Sequence, residues 1–253
     1  MCKGFSCYLP KTQKNLVLKE IYAFLSDEKD LTEHFFMYFD DRVGRGFRVF
    51  IQTEYSSELL RDKLTDFLKN YTIDTQNPNS QHQLFKTYPS FSVVPMRFIE
   101  ENDEIITTKK HIQSIQFFLE NLNSIIVQKT EEFDFGDDNQ TLEFTLELLI
   151  AGVTFNHLSS LSIQREFKLL LKRVPGYKKY LDDKYASMVE QSRDDVFAFK
   201  NSLVLAKNRD NLLSLFWKKN QVKNTHQVFE IIFKVLNINN QQKCYCLYVL
   251  QNT

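Results

Sequence analysis

Phe35-Phe36-Met37-Tyr38-Phe39-Asp40-Asp41-Arg42-Val43-Gly44-Arg45-Gly46-Phe47-Arg48-Val49-Phe50-Ile51 places two aromatic and β-branched runs on either side of a short break rich in Asp, Gly and Arg. Such runs favour strands, and Gly44 and Gly46 permit a turn, so the stretch predicts a β-hairpin or a close strand pair. Arg48 lies inside the second apolar run, where a charge is expensive unless something pairs with it. A cation projecting from a strand beside a Gly-rich turn is suited to holding a carboxylate or an enolate-like oxygen. The competing reading is an arginine on a wet sheet face, paired with a surface acid.

Outward from the hairpin, Phe5 to Leu9 is a short apolar run closed by Pro10 and reads as a strand. Lys14 to Leu25 has helical spacing at Leu16, Leu18, Ile21, Tyr22 and Leu25. Ser56 to Leu68 reads as a second helix with Ser56 or Ser57 as its cap, and Leu84 to Tyr88 as a fourth strand. The order β-α-β-β-α-β predicts a ferredoxin-like antiparallel sheet with its helices on one face. Pro89 and Pro95 break Ser90 to Ile99, which reads as an extended crossing segment.

Beyond it, Thr108 to Val127, Thr141 to Phe155, Ser162 to Leu171 and Tyr177 to Leu205 read as helices, and Glu131 to Gln140 as an acidic loop. Asn211 to Trp217, Thr225 to Leu236 and Asn240 to Leu250 read as three shorter terminal helices. The expected fold class is α+β, with residues 1–105 a ferredoxin-like half and residues 106–253 a helical half packed with it as one unit.

The 253 residues carry 32 Lys plus Arg against 32 Asp plus Glu, so a general nucleic-acid binder, which would show a basic excess, loses weight. Met1 to Lys11 has no apolar core of a secretory signal, and no apolar run approaches the ~20 residues of a membrane span. The expectation is a soluble cytoplasmic protein without a membrane partner. Cys2, Cys7, Cys244 and Cys246 read as reduced thiols, because neither pair has the short loop spacing of a zinc site. No phosphate loop, G-x-G-x-x-G, H-E-x-x-H or G-x-S-x-G is present, so the residues imply neither a metal nor a nucleotide cofactor.

The order of these elements resembles that of the small C-terminal domain of lantibiotic dehydratases and its stand-alone relatives in thiopeptide-type bacteriocin biosynthesis. Phe35 to Phe39 followed by Gly46 to Phe50 is similar to the family's paired strands, the second of which bears arginines. Phe155-Asn156-His157-Leu158-Ser159-Ser160-Leu161-Ser162-Ile163-Gln164-Arg165-Glu166 resembles its helix end, turn and next helix. Tyr180 to Phe199 resembles its long charged helix, and Leu215 to Asn239 its terminal helix. The resemblance implies action on a precursor peptide: β-elimination of glutamate from glutamylated Ser or Thr, leaving a dehydroamino acid. A separate glutamylating dehydratase subunit would supply the ester.

β-Elimination needs a base, a stabiliser of enolate-like charge and a place for the departing carboxylate. Arg48 matches an arginine of the strand motif. In the terminal helix, Lys234 falls at the family's arginine, Phe229 at its histidine and Phe233 at the Asn of its Asn-Arg pair. His226 lies about one turn upstream. The catalytic candidates are Arg48 and Lys234, at arginine positions of the resemblance, and His226 from its place one turn upstream; the substrate-binding candidates are Arg42 and Arg45 in the turn beside Arg48, Arg97 after Pro95, and His34 just before the first strong strand. Two further readings stay open. One is a relative of the same fold that joins two dehydroalanines into a six-membered nitrogen ring, which the altered His and Asn positions would suit. The other is an inactive peptide-binding scaffold. A homodimer is left open.

Overall fold

The computed structural model describes residues 2–10, 13–27, 33–41, 44–71, 88, 90–96, 109–155, 157–174, 176–191, 193–205, 211–220 and 225–252. Four strands and ten helices are found among them, an α+β fold. The chain divides into two compact units: Met1–Asp138 with Lys234–Asn237, and Asn139–Phe233 with Ile238–Thr253.

The first unit runs β1 (Cys2–Tyr8), α1 (Lys14–Asp27), β2 (Glu33–Asp41), β3 (Gly44–Gln52), α2 (Ser57–Lys69), β4 (Val93–Pro95) and α3 (Lys109–Lys129). Its sheet has the order β2-β3-β1-β4 with every neighbour antiparallel, the ferredoxin-like arrangement. The closing strand is Val93–Pro95, inside the stretch read as an extended crossing. Of the expected strand Leu84 to Tyr88 only Tyr88 is described, and it belongs to no strand. Pairing with β1 overrides the weak local preference of a Pro-flanked segment, as an edge strand allows. Ser56 is the cap of α2, its hydroxyl accepting from the Leu59 amide at 3.1 Å.

Cross-strand register sorts the sheet residues into two faces. Phe36 stands opposite Val49, Tyr38 opposite Phe47, and Phe5 and Cys7 follow on β1. This face meets α1: Tyr22 lies edge-on to His34 and Phe36, and the Lys14 ammonium sits 4.2 Å from the Tyr38 ring centroid. Phe5, Cys7, Phe36, Tyr38, Phe47 and Val49 are buried, and burial pushes the Cys7 thiol up to about 12. Cys244 and Cys246 are likewise buried free thiols. The opposite face carries Ser6, Tyr8, Met37, Phe39, Arg48 and Phe50 together with Gly4 and Gly46.

Gly44 and Gly46 lie within β3 and not in the turn to which their composition points. Their use is close approach. Gly46 stands between Tyr8 and Phe39, whose rings meet edge to face at 5.3 Å. A Cβ on Gly46 would fall 1.9 Å from the Cys7 carbonyl oxygen, and one on Gly44 2.6 Å from the Tyr8 ring. Gly46→Ala is expected to lower stability by about 2–3 kcal/mol, since a backbone carbonyl inside a ladder cannot step aside. Gly176→Ala makes the comparison: its φ is +79° but open space surrounds it, so only the left-handed backbone matters, at about 1 kcal/mol. Denaturant melts giving the two variants equal losses would contradict this account.

The second unit is helical: α4 (Asp138–Thr154), α5 (Ser160–Arg173), α6 (Tyr177–Gln191), α7 (Arg193–Leu205), α8 (Leu212–Lys219), α9 (Thr225–Val235) and α10 (Asn240–Asn252), with its boundary to the first unit at either end of Lys234–Asn237. The stretch Tyr177 to Leu205, read as one helix, holds two, α6 and α7. α5 starts earlier than expected because Ser159, not Ser162, caps it, accepting from the Ser162 amide at 3.2 Å. Asn237, at φ 56°, closes α9: Ile238 N–H donates to the Phe233 carbonyl and Asn237 N–H to that of Lys234.

Trp217 anchors this unit. Fully buried, it donates Nε1–H to the Leu148 carbonyl at 2.9 Å and lies where a Cβ on Gly152 would be, 2.6 Å from its ring. His157 stacks on it at 5.8 Å, and burial holds the imidazole below its ordinary 6.5. A histidine depressed on folding supports the fold above its unfolded pKa, and that support is lost as pH falls through the folded value. As Trp217 is the chain's single tryptophan, its emission is expected to titrate with a midpoint below 6.5. His157→Gln should abolish that transition, and a midpoint at or above 6.5 would refute the assignment.

Candidate functional site

Three helices of the second unit each present one face to a cleft of about 140 Å³. α5 contributes Glu166, Leu169, Leu170 and Arg173, and α9 contributes His226, Phe229, Glu230 and Phe233. Both sets have the i, i+3, i+4, i+7 spacing of a single helix stripe. α10 adds Lys243 and Leu247, one turn apart.

The polar centre is His226 and Glu166, Nδ1 to Oε2 at 2.6 Å. The Glu166 side chain is 10% exposed and that of His226 46%. A carboxylate buried behind an imidazole fixes the ring and its tautomer: Nδ1 carries the proton shared with Glu166, and Nε2 is left as the base. The accessible imidazole is suited to exchanging a proton and the shielded carboxylate to orienting the ring. Lys243 Nζ lies 3.8 Å from Glu230 Oε2 and 5.6 Å from the Phe233 ring centroid. Arg173 adds a second cation to the lining. One base, one orienting acid and two cations beside an apolar wall are equipped to move protons and to neutralise developing negative charge.

The apolar wall is Phe229 and Phe233, stacked at 5.9 Å. These are the positions at which the family resemblance places a histidine and an asparagine. In this chain a histidine lines the same cleft from one turn upstream. Lys234 is half-buried in the last turn of α9. It stands eight residues beyond His226, roughly two turns on and about 80° round the helix, and does not line this cleft.

The remaining candidates belong to the first unit. Arg48 is half-buried on β3, between Ser6 of β1 and Met37 of β2, with its guanidinium carbon 5.0 Å from the Phe39 ring centroid. Arg45 is exposed near the start of β3, and its carbonyl accepts from the Leu9 amide. His34 is half-buried on β2 against Tyr22. Arg42 and Arg97 lie outside the described residues. The structure thus brings His226 together with Glu166, Arg173 and Lys243, three side chains that sequence reasoning did not single out. Among the described residues no group of three His, Cys, Asp or Glu side chains is placed to hold a metal ion. No described helix is long and apolar enough to cross a membrane.

No protein-family model matches the sequence, and no curated protein matches it significantly. The fold, however, is shared along the whole chain with solved structures. The pyridine synthase TbtD from thiomuracin biosynthesis superposes with a TM-score of 0.64 over 99% of this chain and 96% of its own, at 12% identity. The crystal structure of TsrL gives 0.62 over 99% and 94%, at 13% identity.

Proposed function

We propose that this chain is a tailoring enzyme acting on a ribosomally made precursor peptide, and that it closes a six-membered nitrogen ring from two dehydroalanines. The observation that carries the reading is the end-to-end match of its fold to a pyridine synthase, together with the proton-handling pair His226–Glu166 in an aromatic-walled cleft.

The chemistry asks for proton movement at each stage. One dehydroalanine, its nitrogen and the preceding carbonyl carbon supply four ring atoms once the amide N–H proton has moved to oxygen. The alkene of the second dehydroalanine supplies the other two. The hydroxyl then leaves as water and the N-terminal segment leaves as its amide, each departure removing a proton from a ring CH2 and leaving an aromatic pyridine. His226 is assigned the role of proton acceptor and donor, Glu166 that of orienting it, and Lys243 and Arg173 that of stabilising negative charge on oxygen. Arg48 remains a candidate for binding a carboxylate or oxyanion of the peptide. The dehydroalanines come from a separate dehydrating activity.

Purified protein should convert a leader-bearing peptide with two dehydroalanines into a product lacking one water and the leader, with new pyridine absorbance. In parallel it should leave a glutamylated peptide unchanged. Release of glutamate with no ring formed would replace this reading with the elimination reaction. Inertness toward both peptides, with both still bound, would favour a scaffold.

A further inference from the structure

A second cleft in the helical unit, of about 420 Å³, lies between α4, α7 and α10. Its floor is apolar: Leu146 and Ile150 from α4, Phe199 from α7 and Val249 from α10. Around that floor stand Glu143, Glu147 and Asp195, and among the described residues no lysine, arginine or histidine lines it. In a chain with equal numbers of acids and bases, this is a local imbalance. The His226 cleft differs, since its lining mixes both signs.

Asp195 has a reason of its own to be acidic, because it lies in the first turn of α7 and faces the positive end of the helix dipole. Glu143 and Glu147 do not. They lie beyond the first turn of α4, four residues apart, where like charges repel and weaken an isolated helix. Two carboxylates held side by side at the edge of an apolar hollow are complementary to a cation attached to an apolar group.

We infer that this cleft holds a segment of the precursor peptide in which an apolar side chain is flanked by Lys or Arg. The apolar side chain fills the floor and the cations meet Glu143, Glu147 and Asp195. The volume matches a site for one or two side chains. The inference rests on the proposed peptide-tailoring role for the identity of the occupant. It adds a second contact, separate from the His226 cleft, that would hold the substrate by sequence while the reacting residues change.

The test uses the full chain with labelled Ile, Leu and Val methyl groups. The probes are two acetylated, amidated heptapeptides, Gly-Ser-Lys-Phe-Lys-Ser-Gly and its charge-reversed form Gly-Ser-Glu-Phe-Glu-Ser-Gly. The first should shift the methyl signals of Leu146, Ile150 and Val249 and bind at least tenfold more tightly than the second. In a folded E143Q/E147Q double variant its affinity should fall at least fivefold and become less sensitive to salt. Equal binding of both peptides, shifts confined to other methyl groups, or undiminished affinity in the double variant would each overturn the inference. Ring formation is assayed separately on the same preparations. Binding without ring formation would sink the proposed reaction and leave the groove, and ring formation without binding would do the reverse.

Discussion

Asn123→Leu is expected to destabilise the first unit by about 4 kcal/mol, lowering the melting temperature by roughly 8–16 °C for a protein of this size. β2 is an edge strand, and Asn123 of α3 pairs with it as another strand would. Its Oδ1 accepts from the Phe36 amide at 2.7 Å and its Nδ2 donates to the Phe36 carbonyl at 3.0 Å. The side chain is completely buried. Leucine is of similar size but leaves a backbone donor and acceptor unpartnered in the interior, at about 1–3 kcal/mol each. It also reopens a strand edge to a second chain, so aggregation should rise on warming. Asn123→Asp sharpens the test. An ionised aspartate turns a second acceptor toward the Phe36 carbonyl, whereas a protonated one restores the donor. Burial raises that carboxyl's pKa on folding, so the penalty should be full at neutral pH and shrink as the solution is acidified below the folded value. A variant as stable as the parent at pH 7 would remove Asn123 from this role.

Much of the sheet was readable because its signals are local. Alternation of aromatic and β-branched residues from Phe35 to Ile51 set both strands, and the one-to-one pairing of Phe36 with Val49 and Tyr38 with Phe47 follows from burying one face of each. Helix starts were readable where a Ser or Asn precedes an apolar stripe, as at Ser56 and Asn211. β4 was not, because three residues beside a proline become a strand only through the partner β1. Asn123 and Asn15 carry no sequence signature either. Asn15 of α1 bonds the Thr130 and Phe133 carbonyls and the Phe135 amide, tying down the acidic loop after α3. In a sequence, each looks like a polar residue on a helix surface.

The candidate site was half visible for the same reason. His226 drew notice through its place near the family's terminal motif. Glu166 lies 60 residues away and reads as an ordinary surface acid until α5 and α9 pack. One signal was available: Glu166, Leu169, Leu170 and Arg173 repeat the spacing of His226, Phe229, Glu230 and Phe233. Two helices that interleave charged with apolar residues on the faces they bury place polar groups where water is excluded, and such groups are paired. A buried acid on one stripe and a histidine on the other are natural partners.

Replacement of His226 by alanine is expected to lower kcat for ring formation by about 10²–10⁴, the range for removing a positioned general acid–base group. KM should change little, because a proton shuttle acts on the transition state more than on binding. Glu166→Gln keeps the size and a hydrogen bond to Nδ1 but removes the charge that steadies the imidazolium and selects its tautomer. A loss of about 10–10² in kcat is expected, with KM little changed. A purely structural Glu166 would lower stability and leave the kcat of the folded protein in place. Phe229→His supplies the reciprocal test, since it puts an imidazole where the resemblance expects one, in the same cleft. In the His226→Ala background it should restore part of kcat if the cleft is the reaction site. If His226→Ala retains full turnover with Trp217 emission and melting intact, the chemistry lies elsewhere, and Arg48 with its sheet face becomes the next place to look.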